Sequence, residues 1–115
     1  MRQLSGHELV AMHAASVASQ ASAAPLLLDV REPWEFALAA IQLPGLRTVH
    51  IPMGEIPTRL DELDPQRPVV CVCHHGVRSA QVVAFLTQHG FETAYNLRGG
   101  IQAWSQQIDP GVAQY

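Results

Sequence analysis

Val69-Val70-Cys71-Val72-Cys73-His74-His75-Gly76-Val77-Arg78-Ser79-Ala80-Gln81-Val82-Val83-Ala84-Phe85 is the stretch that decides how this chain folds. Its first part is an unbroken apolar run, which reads as a strand buried on both faces, the kind found in parallel sheets. The run enters a short loop and the loop opens a segment with Val82, Val83 and Leu86 at helical spacing. Gly76 lets the backbone turn tightly, Arg78 supplies a fixed positive charge, and Ser79 is placed to cap the helix. Backbone N–H groups from His74 to Ser79 would then point at whatever the Cys73 sulfur carries, and the helix dipole favours an anion there. Such surroundings favour the thiolate over the thiol. Cys73 therefore reads as a reactive thiol in an anion cradle, at the carboxyl end of a strand, where open α/β sheets gather their ligands.

The flanking segments repeat the strand-then-helix pattern. Ser5 with Glu8 three residues later is a capping box, and Leu4 with Leu9 forms the accompanying staple, so a helix begins there and ends before Ser22. The run Gln20 to Pro25 is small and uncommitted. Leu26 to Val30 is a second continuous apolar strand, and Pro33, a good first helical residue, starts a helix carrying Trp34 to Ala39. Val49 to Ile51 is a short strand, Gly54 to Leu63 a helix weakened by Pro57, and Asp64-Pro65 a break. The central strand Val69 to Cys73 leads to a helix from Ser79 to His89 that stops at Gly90. Thr93 to Asn96 is a last strand and Ile101 to Gln107 a last helix. Ile108 to Tyr115 packs back on the domain or trails loosely. Alternating strands and helices imply crossover connections, hence an α/β fold with a mostly parallel central sheet and helices on both faces.

At 115 residues the chain fits one domain, 1–115, with a core that needs no disulfide or metal. No apolar run approaches the roughly 20 residues of a membrane-spanning helix. The start, Met1-Arg2-Gln3-Leu4-Ser5-Gly6-His7-Glu8, lacks the basic and apolar regions of a signal peptide, and the cytoplasm is the expected location. Net charge is −3, and the 7 basic residues, all arginine, are scattered over positions 2, 31, 47, 59, 67, 78 and 98. Nucleic acid and anionic membrane are therefore not expected as partners. Two cysteines two positions apart suit a reducing compartment and chemistry rather than a disulfide framework.

Four residues separate Cys73 from Arg78, and with a strand before and a helix after, this segment resembles the active-site loop of the rhodanese-like sulfurtransferases. Upstream, Leu27-Leu28-Asp29-Val30-Arg31-Glu32-Pro33-Trp34-Glu35-Phe36 resembles the family's aspartate-containing signature. Downstream, Tyr95-Asn96-Leu97-Arg98-Gly99-Gly100-Ile101-Gln102-Ala103-Trp104 resembles its closing double-glycine and tryptophan signature. The likeness spans about Leu26 to Trp104. One departure is Ala40-Ile41-Gln42-Leu43-Pro44-Gly45-Leu46, where many members carry Gly-His-Ile-Pro-Gly-Ala.

The resemblance implies a rhodanese-like fold and a sulfurtransferase without organic cofactor. Cys73 would take sulfane sulfur from a donor such as thiosulfate or a persulfide, hold it as a persulfide, and give it to a thiol, cyanide or protein acceptor. His74, His75, Gly76, Val77, Arg78 and Ser79 would form the substrate-binding loop. Arg78 either binds the anionic donor or braces the loop by pairing with a carboxylate. His74 and His75 project toward the mouth or are simply solvated. By the same resemblance Asp29 supports the site, pairing with Arg31 or loop groups, against the alternative that it caps the Pro33 helix. Cys71 shares a strand face with Cys73 and either resolves an oxidised Cys73 or fills space. Four metal ligands within Cys71 to His75 would make poor tetrahedral geometry, and no metal is expected. Trp34, Phe36 and Trp104 read as core or pocket wall.

Two other classes fit parts of the pattern. Cysteine-dependent phosphatases and arsenate reductases use a similar cradle with a loop one residue longer. Inactive rhodanese-like domains serve as binding modules, but those generally lack the cysteine or the arginine, and here both are present.

Overall fold

The computed structural model describes residues 2–19 and 24–115. Strand β1 (Arg2–Leu4) and helix α1 (Gly6–Ser19) come first, then β2 (Leu26–Asp29), α2 (Pro33–Leu38) and β3 (Arg47–His50). After two short 3-10 turns at Met53–Glu55 and Pro57–Glu62 follow β4 (Val69–Val72), α3 (Val77–Gln88), β5 (Ala94–Leu97) and α4 (Gly100–Gln107). The strands form one sheet in the order β1-β5-β4-β2-β3, with every pairing parallel. Leu28 lies beside Cys71 and Asp29 beside Val72, so β2 and β4 deliver their carboxyl ends to the same edge.

Alternation along the strands divides the core in two. Leu26, Leu28, Val69, Cys71 and Cys73 join Val82, Val83 and Leu86 of α3 on one face. Leu27, Val70 and Val72 join Leu9 of α1 and Ile101 and Trp104 of α4 on the other. Both faces are covered, which is why β2 and β4 read as continuous apolar runs.

The expected start of α1 is present in full. Ser5 N–H donates to Glu8 Oε1 at 2.9 Å, Glu8 N–H donates to Ser5 Oγ at 3.1 Å, and Leu4 and Leu9 are both buried. The small-residue run is described only from Ala24 onward, and Gln20 to Ala23 lie outside the described residues. Segment 108–115 packs back: Val112 is buried and Ser105 Oγ donates to its carbonyl at 2.6 Å.

Three expectations change. The N-terminal strand β1 is an addition, a three-residue edge strand with two exposed positions and thus no apolar run to announce it. The expected helix over Gly54 to Leu63 is instead the pair of 3-10 turns, because Pro57 has no N–H to continue an α-helical ladder and Arg59 leaves helical geometry at φ −117°. Trp34 is 63% exposed, outside the core, whereas Trp104 is buried and Phe36 is half-buried with its ring stacked on His50 at 4.5 Å. The departing loop 40–46 is held by His13 Nε2, which donates to Pro44 O at 2.8 Å.

Among the described residues no helix is long and apolar enough to cross a membrane. Arg31 is 0% exposed, and its guanidinium meets Asp29 at 2.6 Å. Arg31 also donates to the Glu35 and Ala39 carbonyls, so β2 is tied to both ends of α2. Removing one member of a buried pair leaves the other charge uncompensated. We expect Asp29→Ala to cost about 3–5 kcal/mol in denaturant unfolding; a loss below about 1 kcal/mol would mean that Arg31 finds water or another partner.

Candidate active site

Cys73 follows the last residue of β4, and the chain turns at once into α3. Gly76 makes that turn at φ +105°, a conformation a side chain would strain, and its N–H donates to Cys73 Sγ at 3.0 Å. The sulfur is buried, at 1% residue exposure.

Ser79 does not cap the helix. Gly76 already starts α3, placing Ser79 inside its first turn with no exposure. Its hydroxyl donates to Asn96 Oδ1 at 2.5 Å, while Asn96 Nδ2 donates to Gly76 O at 3.1 Å. The Ser79 hydroxyl oxygen also lies 3.3 Å from Cys73 Sγ. Asn96, from β5, thus orients both the serine and the glycine beside the sulfur, and local spacing around Cys73 gives no sign of it.

The loop carbonyls are gripped by α4. Ile101 N–H donates to Cys73 O at 2.9 Å and Gln102 N–H to His74 O at 3.1 Å. A Cβ on Gly100 would collide with both carbonyl oxygens, and φ there is +61°. The double glycine is therefore the condition for α4 to approach the loop.

On the other side Arg78 turns to Glu35, with Nη1 to Oε1 at 2.6 Å and Nη2 to Oε2 at 2.9 Å. This pairing with a carboxylate is the contact that the bracing alternative anticipates. Glu35 also accepts from its helix start at Glu32 N–H (3.1 Å) and from Tyr115 Oη (2.8 Å). Tyr115 Oη in turn accepts from Arg31 Nη1 at 2.9 Å. Asp29 and Arg31 are brought together, and their link to the loop runs through Glu35: Arg31 reaches it directly at its carbonyl and also through Tyr115, and the Glu35 carboxylate pairs with Arg78. Like Asn96, Glu35 and Tyr115 have no part assigned from the sequence, since Arg78 lies 43 residues from Glu35 and Glu35 lies 80 residues from Tyr115.

His74 stacks between His75, at 3.9 Å, and the Tyr115 ring, at 3.8 Å. Burial and then the neighbouring His75 push His74 below the ordinary histidine range. Its Nε2 is buried and has no hydrogen-bond partner among the described residues. His75 and Val77 are exposed. Cys71 is buried beneath the site, and burial followed by the nearby Cys73 pushes its thiol far above the ordinary range. It remains a neutral thiol, the state of an inert filler rather than of a nucleophile.

A parallel sheet that delivers a cysteine loop to the start of a helix, with a double-glycine helix clamped on that loop, matches a known family. The Rhodanese-like domain profile fits residues 13–107. The chain belongs to the rhodanese-like domain family. A protein named sulfurtransferase from Allochromatium vinosum is 42% identical over 88 residues, covering 76% of this chain and 78% of its own. A chloroplastic Rhodanese-like/PpiC domain-containing protein of Arabidopsis thaliana is 38% identical over 77% of the chain, and the chain spans only 30% of its length. The crystal structure of a rhodanese-related protein from Thermoplasma volcanium superposes with a TM-score of 0.76, 28% identity and full coverage of both chains.

The Glu35 carboxyl is held down from its ordinary 4.5 to about 2, first by Arg78 and then, against the cost of burial, by Tyr115 and the Glu32 N–H. A carboxylate whose folded value is depressed contributes stability above its unfolded value, and that contribution is lost as pH falls from about 4.5 toward about 2. We expect wild type to exceed Glu35→Gln by on the order of 3 kcal/mol at pH 7, with the two converging across that acid window. A difference that stays constant with pH would contradict the assignment.

Proposed function

We propose that this rhodanese-like domain is a sulfurtransferase that carries sulfane sulfur on Cys73. The Cys73 thiolate attacks the outer sulfur of a donor such as thiosulfate. A new S–S bond forms, the donor's S–S bond breaks, and its electron pair leaves with sulfite. The persulfide is then attacked at its outer sulfur by a thiol, cyanide or protein acceptor, and Cys73 departs as thiolate.

The observation that carries this reading is the Gly76 N–H aimed at Cys73 Sγ at 3.0 Å, at the start of a helix of 12 residues. A donor N–H held in place stabilises negative sulfur without reorganisation during the reaction. Family membership and the naming of the Allochromatium relative point the same way. Arg78, paired with Glu35, acts by fixing the loop's shape, and the histidines border its mouth. A phosphatase reading is disfavoured by the four-residue gap between Cys73 and Arg78, which leaves less room for a tetrahedral phosphate. The presence of both residues disfavours a purely binding role. Two free cysteines suit a reducing compartment, and we propose a cytoplasmic protein acting on small sulfur donors rather than on nucleic acid or membranes.

In a thiosulfate and cyanide assay we expect Cys73→Ser to lose at least about 100-fold in turnover while retaining the fold. Cys71→Ala should stay within about threefold of wild type, since it changes only a buried filler. An active Cys73→Ser protein, or Cys73-dependent hydrolysis of a generic phosphomonoester, would overturn the reading.

A further inference from the structure

His74, the residue directly after Cys73, is held in two ways. Its backbone carbonyl accepts from Gln102 N–H at 3.1 Å, and the bare Gly100 backbone fits against the same peptide. Its side chain lies flat on the Tyr115 ring, with the planes 9° apart and the centroids 3.8 Å apart. Tyr115 is itself anchored, accepting from Arg31 Nη1 at 2.9 Å and donating to Glu35 Oε2 at 2.8 Å. The exposed Trp34 touches the same ring edge-on at 5.9 Å. One side chain from the last segment of the chain thus contacts the loop that bears the sulfur and the carboxylate that pins the loop's arginine.

We propose that Tyr115 is a positioning residue for sulfur transfer, its ring holding His74 against α4 and its hydroxyl joining that ring to the Arg31 and Glu35 side chains, so that the Cys73 loop keeps its shape. The inference rests on the sulfur-transfer reading and adds a residue that the cysteine loop itself does not contain. Rings stacked face to face restrict each other's tilt, so a displaced Tyr115 frees the His74 side chain and, through its peptide, the residue bearing the sulfur. Small displacements of a reacting group cost rate steeply.

The arrangement also ties the loop to pH. The groups facing His74 are His75 beside it in the loop, Glu35 from α2, Arg78 from α3, Arg31 from the turn after β2, and Tyr115. Burial of His74, to which the Tyr115 ring contributes, is the largest influence holding it neutral, and His75, Arg78 and Arg31 act in the same direction against Glu35. Protonation puts a charge into this half-buried stack against the opposition of burial, His75, Arg78 and Arg31, and so loosens the packing that holds the loop. Sulfur transfer therefore weakens toward acid pH as His74 takes up its proton.

The test compares wild type, Tyr115→Leu and Tyr115→Phe. One readout is the NMR titration of the His74 ring, assigned by its loss in His74→Gln; the other is kcat and KM for thiosulfate and cyanide against pH. Tyr115→Leu is expected to move the His74 midpoint upward toward the ordinary histidine value and to lower kcat by about tenfold. The acid limb of its rate profile should move up with the midpoint. Tyr115→Phe keeps the stacked ring, so its His74 midpoint should match wild type and its kcat should exceed that of Tyr115→Leu. Wild-type kcat together with an unmoved His74 midpoint in Tyr115→Leu would overturn the proposal. So would equal kcat losses in the two variants with His74 unmoved, because a purely structural anchor behaves that way. The titration needs no turnover: a wild-type protein that fails to transfer sulfur refutes the functional reading, whereas the Tyr115–His74 link stands or falls on the NMR midpoint.

Discussion

The buried carboxylate of Glu35 is the constraint on which the site depends. It accepts from both terminal nitrogens of Arg78, from Tyr115 and from the Glu32 backbone, so a single charged group joins α2, α3 and the last segment of the chain. Burying a carboxylate is costly unless its charge and lone pairs are all met. Here they are met, and the same bonds that stabilise Glu35 tie the first turn of α3 to α2. Arg78, expected as either an anion binder or a brace, is occupied as the brace, and the N–H of Gly76 is left as the donor to sulfur.

The opposite side of the loop is fixed by sterics and backbone bonds instead of charge. Glycine at position 100 lets the start of α4 come within bonding distance of the Cys73 and His74 carbonyls. With those oxygens turned toward α4, the loop's Gly76 N–H can face the sulfur. Asn96 completes the arrangement from β5 by orienting Ser79 and Gly76 together. The parallel sheet makes this possible, because parallel strands bring their carboxyl ends to one edge.

Much of this was legible in the sequence where cause and effect are neighbours in the chain. The capping box at Ser5 and Glu8, the apolar strands β2 and β4, and the cysteine loop all depend on residues a few positions apart. Local reasoning failed where a distant partner decides. Ser79 carries a residue type that favours caps, but an αL glycine three positions earlier starts the helix and Asn96 takes the hydroxyl. Glu35 lies inside the aspartate-containing signature with no role of its own there, since Arg78 reaches it only through the fold. Tyr115 gave no signal at all, being a tyrosine at the end of a segment that could have trailed. Trp34 reads by type as core or pocket wall; it is outside the core, with its ring edge-on to Tyr115. The double glycine is recognisable as a pattern, while its cause, two carbonyl oxygens where a Cβ would sit, lies in the packing of α4 on the loop.

The central claim is that Cys73 itself bears the transferred sulfur. Intact mass spectrometry of the Cys71→Ala protein after incubation with thiosulfate, with cyanide withheld, tests it most directly. The account predicts a gain of one sulfur atom that a reductant or cyanide removes, and whose position maps to the peptide containing Cys73. An unchanged mass with thiosulfate and with a low-molecular-weight persulfide, or an added sulfur that persists in Cys73→Ser, would contradict it.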